Sequence, residues 1–126
     1  MAQLRIVQGD LIVHLTPGEK IAGLHGDVRV PLSAIASVSV PPTTWLALRG
    51  WRMAGTGIPG FIAVGTRRHG SGYDFTAVHG QRPAVEVELN SGRFERLLIS
   101  VDAGLDAQAE ADRIADAAGI RRSPAG

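Results

Sequence analysis

Residues 84–101 read AVEVELNSGRFERLLISV, and this stretch decides the fold class. Its apolar residues alternate with Glu86 and Glu88, which is the period-two pattern of a strand with one buried face. An Asn-Ser-Gly turn then reverses the chain into a second apolar run. The stretch predicts a hairpin whose glutamates face solvent, where Arg93 or Arg96 can meet them across the pair.

Short alternating or apolar segments recur along the rest of the chain. Besides the hairpin, we predict strands at residues 4–7, 11–15, 20–25, 28–30, 36–40, 61–66 and 73–79. The sequence Thr-Pro-Gly-Glu at residues 16–19 predicts a turn. Asp102 begins a predicted C-terminal helix, which runs to about Ala118, ends at Gly119 and packs an alanine-rich stripe on the strands.

A chain of 126 residues fits one domain, and 44% hydrophobic with 20% charged residues is ordinary globular composition. The absence of cysteine excludes disulfides, thiolate metal sites and thiol nucleophiles. The first residues lack the apolar run of a signal peptide, and no stretch is apolar enough for a membrane span, so we expect a cytoplasmic protein. We expect one domain at residues 1–120 and a flexible tail at residues 121–126.

Residues 28–40 contain three short motifs in a row: Val-Arg-Val, Pro-Leu-Ser-Ala-Ile and Ser-Val-Ser-Val. Together they resemble the bacterial pleckstrin-homology-like (PH-like) domains, which join two strands through an Ile-Pro-Leu-x-x-Ile corner that residues 30–35 match. The Gly-Thr-Gly-Ile-Pro-Gly run at residues 55–60 is similar to that of small uncharacterised PH-like proteins of actinobacterial type. The resemblance implies a mainly β fold, a small barrel or sandwich of about seven antiparallel strands with one C-terminal α-helix, and it implies a binding or scaffold module.

An insertion at residues 41–60 interrupts the strand pattern and concentrates tryptophan and arginine. No Asp or Glu occurs between Asp27 and Asp74, so the region is locally positive on a chain of net charge +1. Tryptophan and arginine are the residues most enriched at binding hot spots. The candidate binding residues are therefore Trp45, Arg49, Trp51, Arg52, Arg67 and Arg68.

Two consecutive prolines end the strand before this insertion, because proline supplies no N–H for a ladder. A short helix is predicted at residues 45–49 and a loop at residues 54–60. By helical spacing, Trp45, Leu48 and Arg52 share one side. Two compatible interpretations follow: the apolar residues close an open end of a barrel, or the segment presents its arginines to another molecule.

Several chemistries are set aside on the sequence alone. The string Gly55-x-Gly57-x-x-Gly60 matches the dinucleotide fingerprint as letters, but a loop leads into it and strand residues follow it. The histidines lack metal-binding spacings, and the Gly-Ser-Gly sequence at residues 70–72 lacks the context of a nucleophile elbow. We therefore expect no metal, no cofactor and no catalytic residue.

The sequence favours a non-catalytic module for protein–protein interaction, with an unknown partner and with self-association as one mode. Lipid binding does not follow from a PH-like fold, and the Gln-Gly-Asp turn at residues 8–10 is not basic. One alternative is an anionic-ligand or membrane-surface binder that uses the arginine-rich region 49–68. A second alternative is a small enzyme with an unrecognised pocket, whereas the modest net charge argues against nucleic-acid binding.

Overall fold

The computed structural model describes residues 1–120, which form two β-sheets that share one core. The three-stranded sheet contains β1 (Gln3–Val7), β2 (Asp10–His14) and β3 (Val28–Pro31), in that spatial order. The larger sheet contains β4 (Ile35–Ser39), β5 (Trp51–Ile58), β6 (Ile62–His69), β7 (Gly72–His79), β8 (Ala84–Leu89) and β9 (Phe94–Ser100). Its spatial order is β4-β8-β9-β7-β6-β5. The helices are α1 (Pro17–Gly23), α2 (Thr44–Ala47) and α3 (Ala107–Ala118).

The prediction of a mainly β fold with a C-terminal helix is confirmed. The described residues contain nine strands rather than about seven, and the larger sheet does not close into a barrel, since β4 and β5 are its two edges. β9 lies between β7 and β8, and its pairing with β7 is parallel. Alternation in a sequence fixes which side chains are buried, but it does not fix which strands are neighbours. The predicted tail at residues 121–126 lies outside the described residues.

One face of the larger sheet packs against the three-stranded sheet and α3. Leu11 and Val13 of β2 are fully buried there, as their alternation predicts. They belong to the same cluster as Phe75 of β7, Leu97 of β9 and Ile114 of α3. The cluster joins the two sheets, because its members come from both of them. Burial of each such side chain stabilises the fold by about 1.5–3 kcal/mol.

The predicted strand at residues 20–25 is wrong, as is the turn predicted before it, because α1 occupies this part of the chain. Thr16 caps the helix: its hydroxyl accepts a hydrogen bond from the Glu19 amide at 3.2 Å. The Thr16 amide in turn donates to Glu19 Oε1 at 3.0 Å, which completes a capping box. Pro17 fits the first helical position, where the N–H would have no helical partner.

The predicted loop at residues 54–60 is wrong over most of its length, because β5 continues to Ile58. Gly55 faces Gly65 across the β5–β6 ladder, and both have positive φ, at 116° and 140°. A Cβ atom on Gly55 would lie 2.1 Å from the carbonyl oxygen of Val64. Only glycine permits so close an approach of two backbones, so Gly55 and Gly65 allow β5 and β6 to pair at this position.

The C-terminal helix begins later than predicted. Asp106, and not Asp102, caps α3 by accepting a hydrogen bond from the Ala109 amide at 3.0 Å. Gly104, with φ of 88°, keeps the intervening residues out of the helix. Gly119 ends α3 in the left-handed conformation, as predicted. None of the helices in residues 1–120 combines the length and apolar character needed to cross a membrane.

The corner that resembles PH-like domains carries the chain between the two sheets. A single turn of 3-10 helix, Leu32–Ala34, lies between β3 of the small sheet and β4 of the large sheet. The register of β4 against β8 then shifts between Ile35 and Ser37, so that Ile35 is buried and Ala36 is exposed. The helical turn predicted at residues 31–35 is confirmed.

Candidate functional site

The outer face of the larger sheet is covered by residues 44–50, which we call the cover segment. A second apolar cluster lies beneath it, formed by Ala63, Val78, Ala84 and Leu98 together with Trp45, Ala47 and Leu48. Trp45 Nε1 donates to the Gly80 carbonyl at 2.7 Å, and Thr44 Oγ1 donates to the Arg82 carbonyl at 2.9 Å. Trp45 and Leu48 therefore close a face of the sheet and not an end of a barrel.

Two arginines of the sheet hold the backbone of the cover segment. Arg96 of β9 donates from Nη1 to the Ala47 carbonyl at 2.8 Å. Arg67 of β6 donates from Nε to the Arg49 carbonyl at 3.1 Å and from Nη2 to the Gly50 carbonyl at 3.0 Å. Hydrogen bonds from charged donors are stronger than neutral ones, so these contacts fix the cover segment on the sheet.

The candidate residue Arg49 lies in an ion pair with a buried carboxylate. Its Nε and Nη2 atoms donate to the two carboxylate oxygens of Asp74 at 2.6 and 2.9 Å. Asp74 is only 2% exposed, and Glu95 lies 3.8 Å from the same guanidinium. The hydrogen bonds to Asp74 raise the pKa of Arg49 above its usual value. Most of the charge of Arg49 is therefore satisfied within the fold.

Four of the six candidate residues line one open groove beside the cover segment. This tryptophan groove has a volume of about 510 Å³. Its main lining residues are Trp45, Leu48, Trp51, Arg52, Pro59 and Arg67, and Gly50, Gly57, Ile58 and Ala63 complete its surface. The helical spacing predicted to align Arg52 with Trp45 is wrong, because Arg52 belongs to β5. The two residues nevertheless meet in this groove, through the sheet.

Arg52 and Arg67 are direct register partners on β5 and β6. Arg52 Nη1 donates to the Gly57 carbonyl at 3.2 Å, and a Cβ atom on residue 57 would lie 2.9 Å from that same nitrogen. The glycine therefore leaves room for the Arg52 side chain. Within residues 1–120, neither arginine forms an ion pair with a carboxylate.

Trp51 stands between the groove and a second depression, of about 320 Å³, that also contains Arg68 and His69. The Trp51 residue is 67% exposed. Arg68 donates from Nη1 to the Tyr73 hydroxyl at 3.3 Å, and its guanidinium carbon lies 5.5 Å from the centre of the Tyr73 ring. Trp51 and Arg68 are also register partners, so their side chains lie on the same face of the sheet.

β5 is an edge strand, yet several features obstruct the addition of another strand to it. The register shifts between Arg52 and Ala54, which leaves Met53 in a bulge. The guanidinium of Arg52 donates a hydrogen bond to the Gly57 carbonyl, which is then less available to another strand. Pro59, which has no N–H to donate, follows the end of β5. The geometry therefore favours contacts through side chains in the groove over backbone pairing at the edge.

The histidines are separated in the fold. His14 Nδ1 lies 3.0 Å from Asp27 Oδ2, and His79 Nε2 lies 2.7 Å from Glu19 Oε2. His25 packs against two phenylalanine rings of the core. In the part of the chain that the structure describes, no three side chains of the metal-ligating types come together.

Glu19 is a buried carboxylate whose hydrogen bonds shift its pKa. It is 3% exposed and accepts hydrogen bonds from His79, from the Thr16 amide and from the Ala2 amide. Burial raises its pKa, but these hydrogen bonds outweigh burial and lower the pKa to about 2. Each contact joins parts of the scaffold, so Glu19 ties the N-terminal residues and α1 to β7.

Among the lining residues of the groove that were not candidate residues are Ile58 and Pro59. Both belong to the glycine-rich run, which the sequence predicts as a loop. The available signal was the Ile-Pro pair, since the residue before a proline favours extended backbone, which is compatible with a strand up to Ile58. Ile58 is 51% exposed here.

Comparisons of this chain with protein-family models, with curated proteins and with solved structures find no match. The likeness of its corner and of its glycine-rich run to PH-like domains therefore stays a prediction.

Proposed function

We propose that this protein is a non-catalytic interaction module that holds a segment of a partner protein in the tryptophan groove. The observation that carries the proposal is the position of Trp51. Trp51 is 67% exposed and lines two concave surfaces, one of which is also lined by Trp45, Leu48 and Pro59. Large exposed aromatic residues next to a concave apolar surface are typical of binding sites.

The groove is prepared for a ligand before one arrives. Trp45 is fixed by its hydrogen bond to the Gly80 carbonyl, and Arg67 is fixed by two carbonyls of the cover segment. Binding to fixed side chains loses little conformational entropy. Covering the exposed part of Trp51 supplies about 2–4 kcal/mol at ~25 cal/mol per Å².

A display selection of random peptides on the purified protein tests the proposal. We expect enriched peptides to bind the wild type and to bind Trp51→Ala about tenfold more weakly or worse, as measured by fluorescence anisotropy. Leu105→Ala is the matched control, because Leu105 is an exposed apolar residue, at 52%, that does not line the groove. The proposal fails if no peptide is enriched, or if enriched peptides bind Trp51→Ala as well as they bind the wild type.

A further inference from the structure

We infer that the partner segment is acidic: it places a carboxylate against Arg52 and Arg67 and an adjacent apolar side chain against Trp45, Leu48 and Pro59. This inference rests on the proposed function, since it names the chemistry of the segment that the tryptophan groove holds. Both arginines and all three apolar residues line that one groove.

The first argument is the cross-strand position of the two arginines. Arg52 and Arg67 face each other in the β5–β6 register, and like charges directly opposite each other destabilise a sheet. Arg49 and Arg96, by contrast, each pair with a carboxylate, that of Asp74 and that of Glu86. A bound anion between Arg52 and Arg67 offsets their repulsion.

The second argument concerns the guanidinium N–H groups of Arg52 and Arg67 that are left for a ligand. The two carbonyls of the cover segment occupy Arg67 Nε and Nη2, while no acceptor within residues 1–120 bonds to Arg67 Nη1. Within the same residues, the Arg52 side chain makes a single hydrogen bond, to the Gly57 carbonyl at 3.2 Å. Guanidinium groups bind carboxylates through parallel pairs of hydrogen bonds, so this pair of side chains retains the donors that such an anion needs.

The third argument is the field around the groove. Arg68 adds a further positive charge beside Trp51, and the sequence has no acidic residue between Asp27 and Asp74. Such a field attracts an acidic segment and raises its association rate, with an effect that salt screens. The groove is concave and has an apolar wall, which fits a side chain of a peptide better than the flat surface of a bilayer.

The display selection provides the first measurement. We expect Asp and Glu to be enriched next to a large apolar residue in the selected peptides. For each selected peptide, a synthetic version with its acidic residues changed to the amides should bind the wild type about tenfold more weakly at low salt. Arg52→Gln should remove this difference, whereas Arg52→Lys should keep part of it. Arg5→Gln is the matched control, because Arg5 is exposed on β1, away from the groove.

The outcomes separate the two proposals. If the selected peptides show no enrichment of Asp and Glu, the acidic partner is overturned and the interaction module stands. The same conclusion follows if the acidic and amide peptides bind the wild type equally well and neither binds Trp51→Ala. A selection that enriches nothing would overturn both. A third measurement is sedimentation of the protein with vesicles of phosphatidylcholine and phosphatidylserine. If the wild type sediments with the vesicles even in excess selected peptide, and Arg52→Gln does not, these arginines bind a membrane surface instead. Circular dichroism confirms that each variant is folded.

Discussion

The guanidinium of Arg49 binds the carboxylate of Asp74 through two hydrogen bonds, with Nε–Oδ2 and Nη2–Oδ1 distances of 2.6 and 2.9 Å. Arg49 belongs to the cover segment and Asp74 to β7, so this pair joins the segment to the middle of the sheet. The sequence marks Arg49 as part of a free positive surface. In the fold, it is mainly the counterion of a buried acid.

We expect Arg49→Met to reduce the free energy of unfolding by about 3–5 kcal/mol, because it leaves the Asp74 carboxylate buried without its partner. Urea denaturation measures the change. Arg29→Met is the control, since Arg29 pairs with Asp10 at the surface, with side chains 56% and 29% exposed, and its loss should stay below about 1 kcal/mol. Equal losses in the two variants would contradict a structural role for the Arg49–Asp74 pair.

The close approach of β5 and β6 makes a second prediction. In Gly65→Ala, the new Cβ atom would lie 2.2 Å from the Ala54 carbonyl oxygen, at a φ of 140° that alanine disfavours. We expect a loss of about 3 kcal/mol or more, or a protein that does not fold. Gly18→Ala is the control: Gly18 lies in α1 with open space around it, so alanine should be neutral or stabilise by up to about 1 kcal/mol. Thermal denaturation of both variants tests the contrast.

The lowered pKa of Glu19 predicts a dependence of stability on acid. Its folded-state pKa of about 2 lies below the ordinary glutamate pKa of 4.5, so the ionised form of Glu19 stabilises the fold fully above pH 4.5. This contribution is lost as the pH falls through that window, and it amounts to at most about 3 kcal/mol. Urea denaturation of wild type and Glu19→Gln from neutral to acidic pH should show their stabilities converge. If the stability of the two proteins instead falls in parallel with pH, the assignment of the lowered pKa to Glu19 is contradicted. Glu88→Gln serves as the control, because the Glu88 side chain is 51% exposed.

The two tryptophans should be distinguishable by fluorescence. Trp51→Phe leaves only Trp45, which is packed on the outer cluster, so we expect blue-shifted emission that acrylamide quenches weakly. Trp45→Phe leaves only the exposed Trp51, so emission should be red-shifted and strongly quenched. Trp45→Phe also removes the hydrogen bond to Gly80 and should destabilise by about 1–3 kcal/mol, against less than about 0.5 kcal/mol for Trp51→Phe. Two similar spectra would contradict the placement of both residues.

Local patterns in the sequence predict much of the scaffold. The strand at residues 84–89 is found where its alternation places it, and Arg96 reaches Glu86 across the hairpin, with Nη2 2.5 Å from Oε1. The prediction that both glutamates face solvent is wrong for Glu86, whose side chain is only 14% exposed beside Arg96. The hairpin of β6 and β7 also forms. Each of these predictions depends on residues that are close in the chain or share one face, which is the information that periodicity carries.

The errors have physical causes that are equally local. Pro17 and Gly18 favour a turn, and that interpretation gave too little weight to Thr16 and Glu19, whose spacing is the signature of a capping box. The glycines of β5 favour a loop by propensity, but the contact between Gly55 and Gly65 requires them in a strand. No single segment carries the information for such a contact.

The candidate site is predicted in part. The sequence identifies four residues that line the groove, because tryptophan and arginine are conspicuous in a stretch without acidic residues. It does not show that Arg49 and Asp74 meet, since the ion pair spans 25 residues. It also does not show that Arg52 and Arg67 are opposite each other, because a register is set by the whole ladder.

The cover segment gives the larger sheet two separate cores, one on each side. Side chains under the segment contact Trp45 and Leu48, whereas those on the other side contact the small sheet and α3. Substitutions on one side can therefore accumulate and compensate each other without disturbing the other. A designer could reshape the wall of the groove through Ala63, Val78 and Leu98 while the main body of the protein retains its original packing.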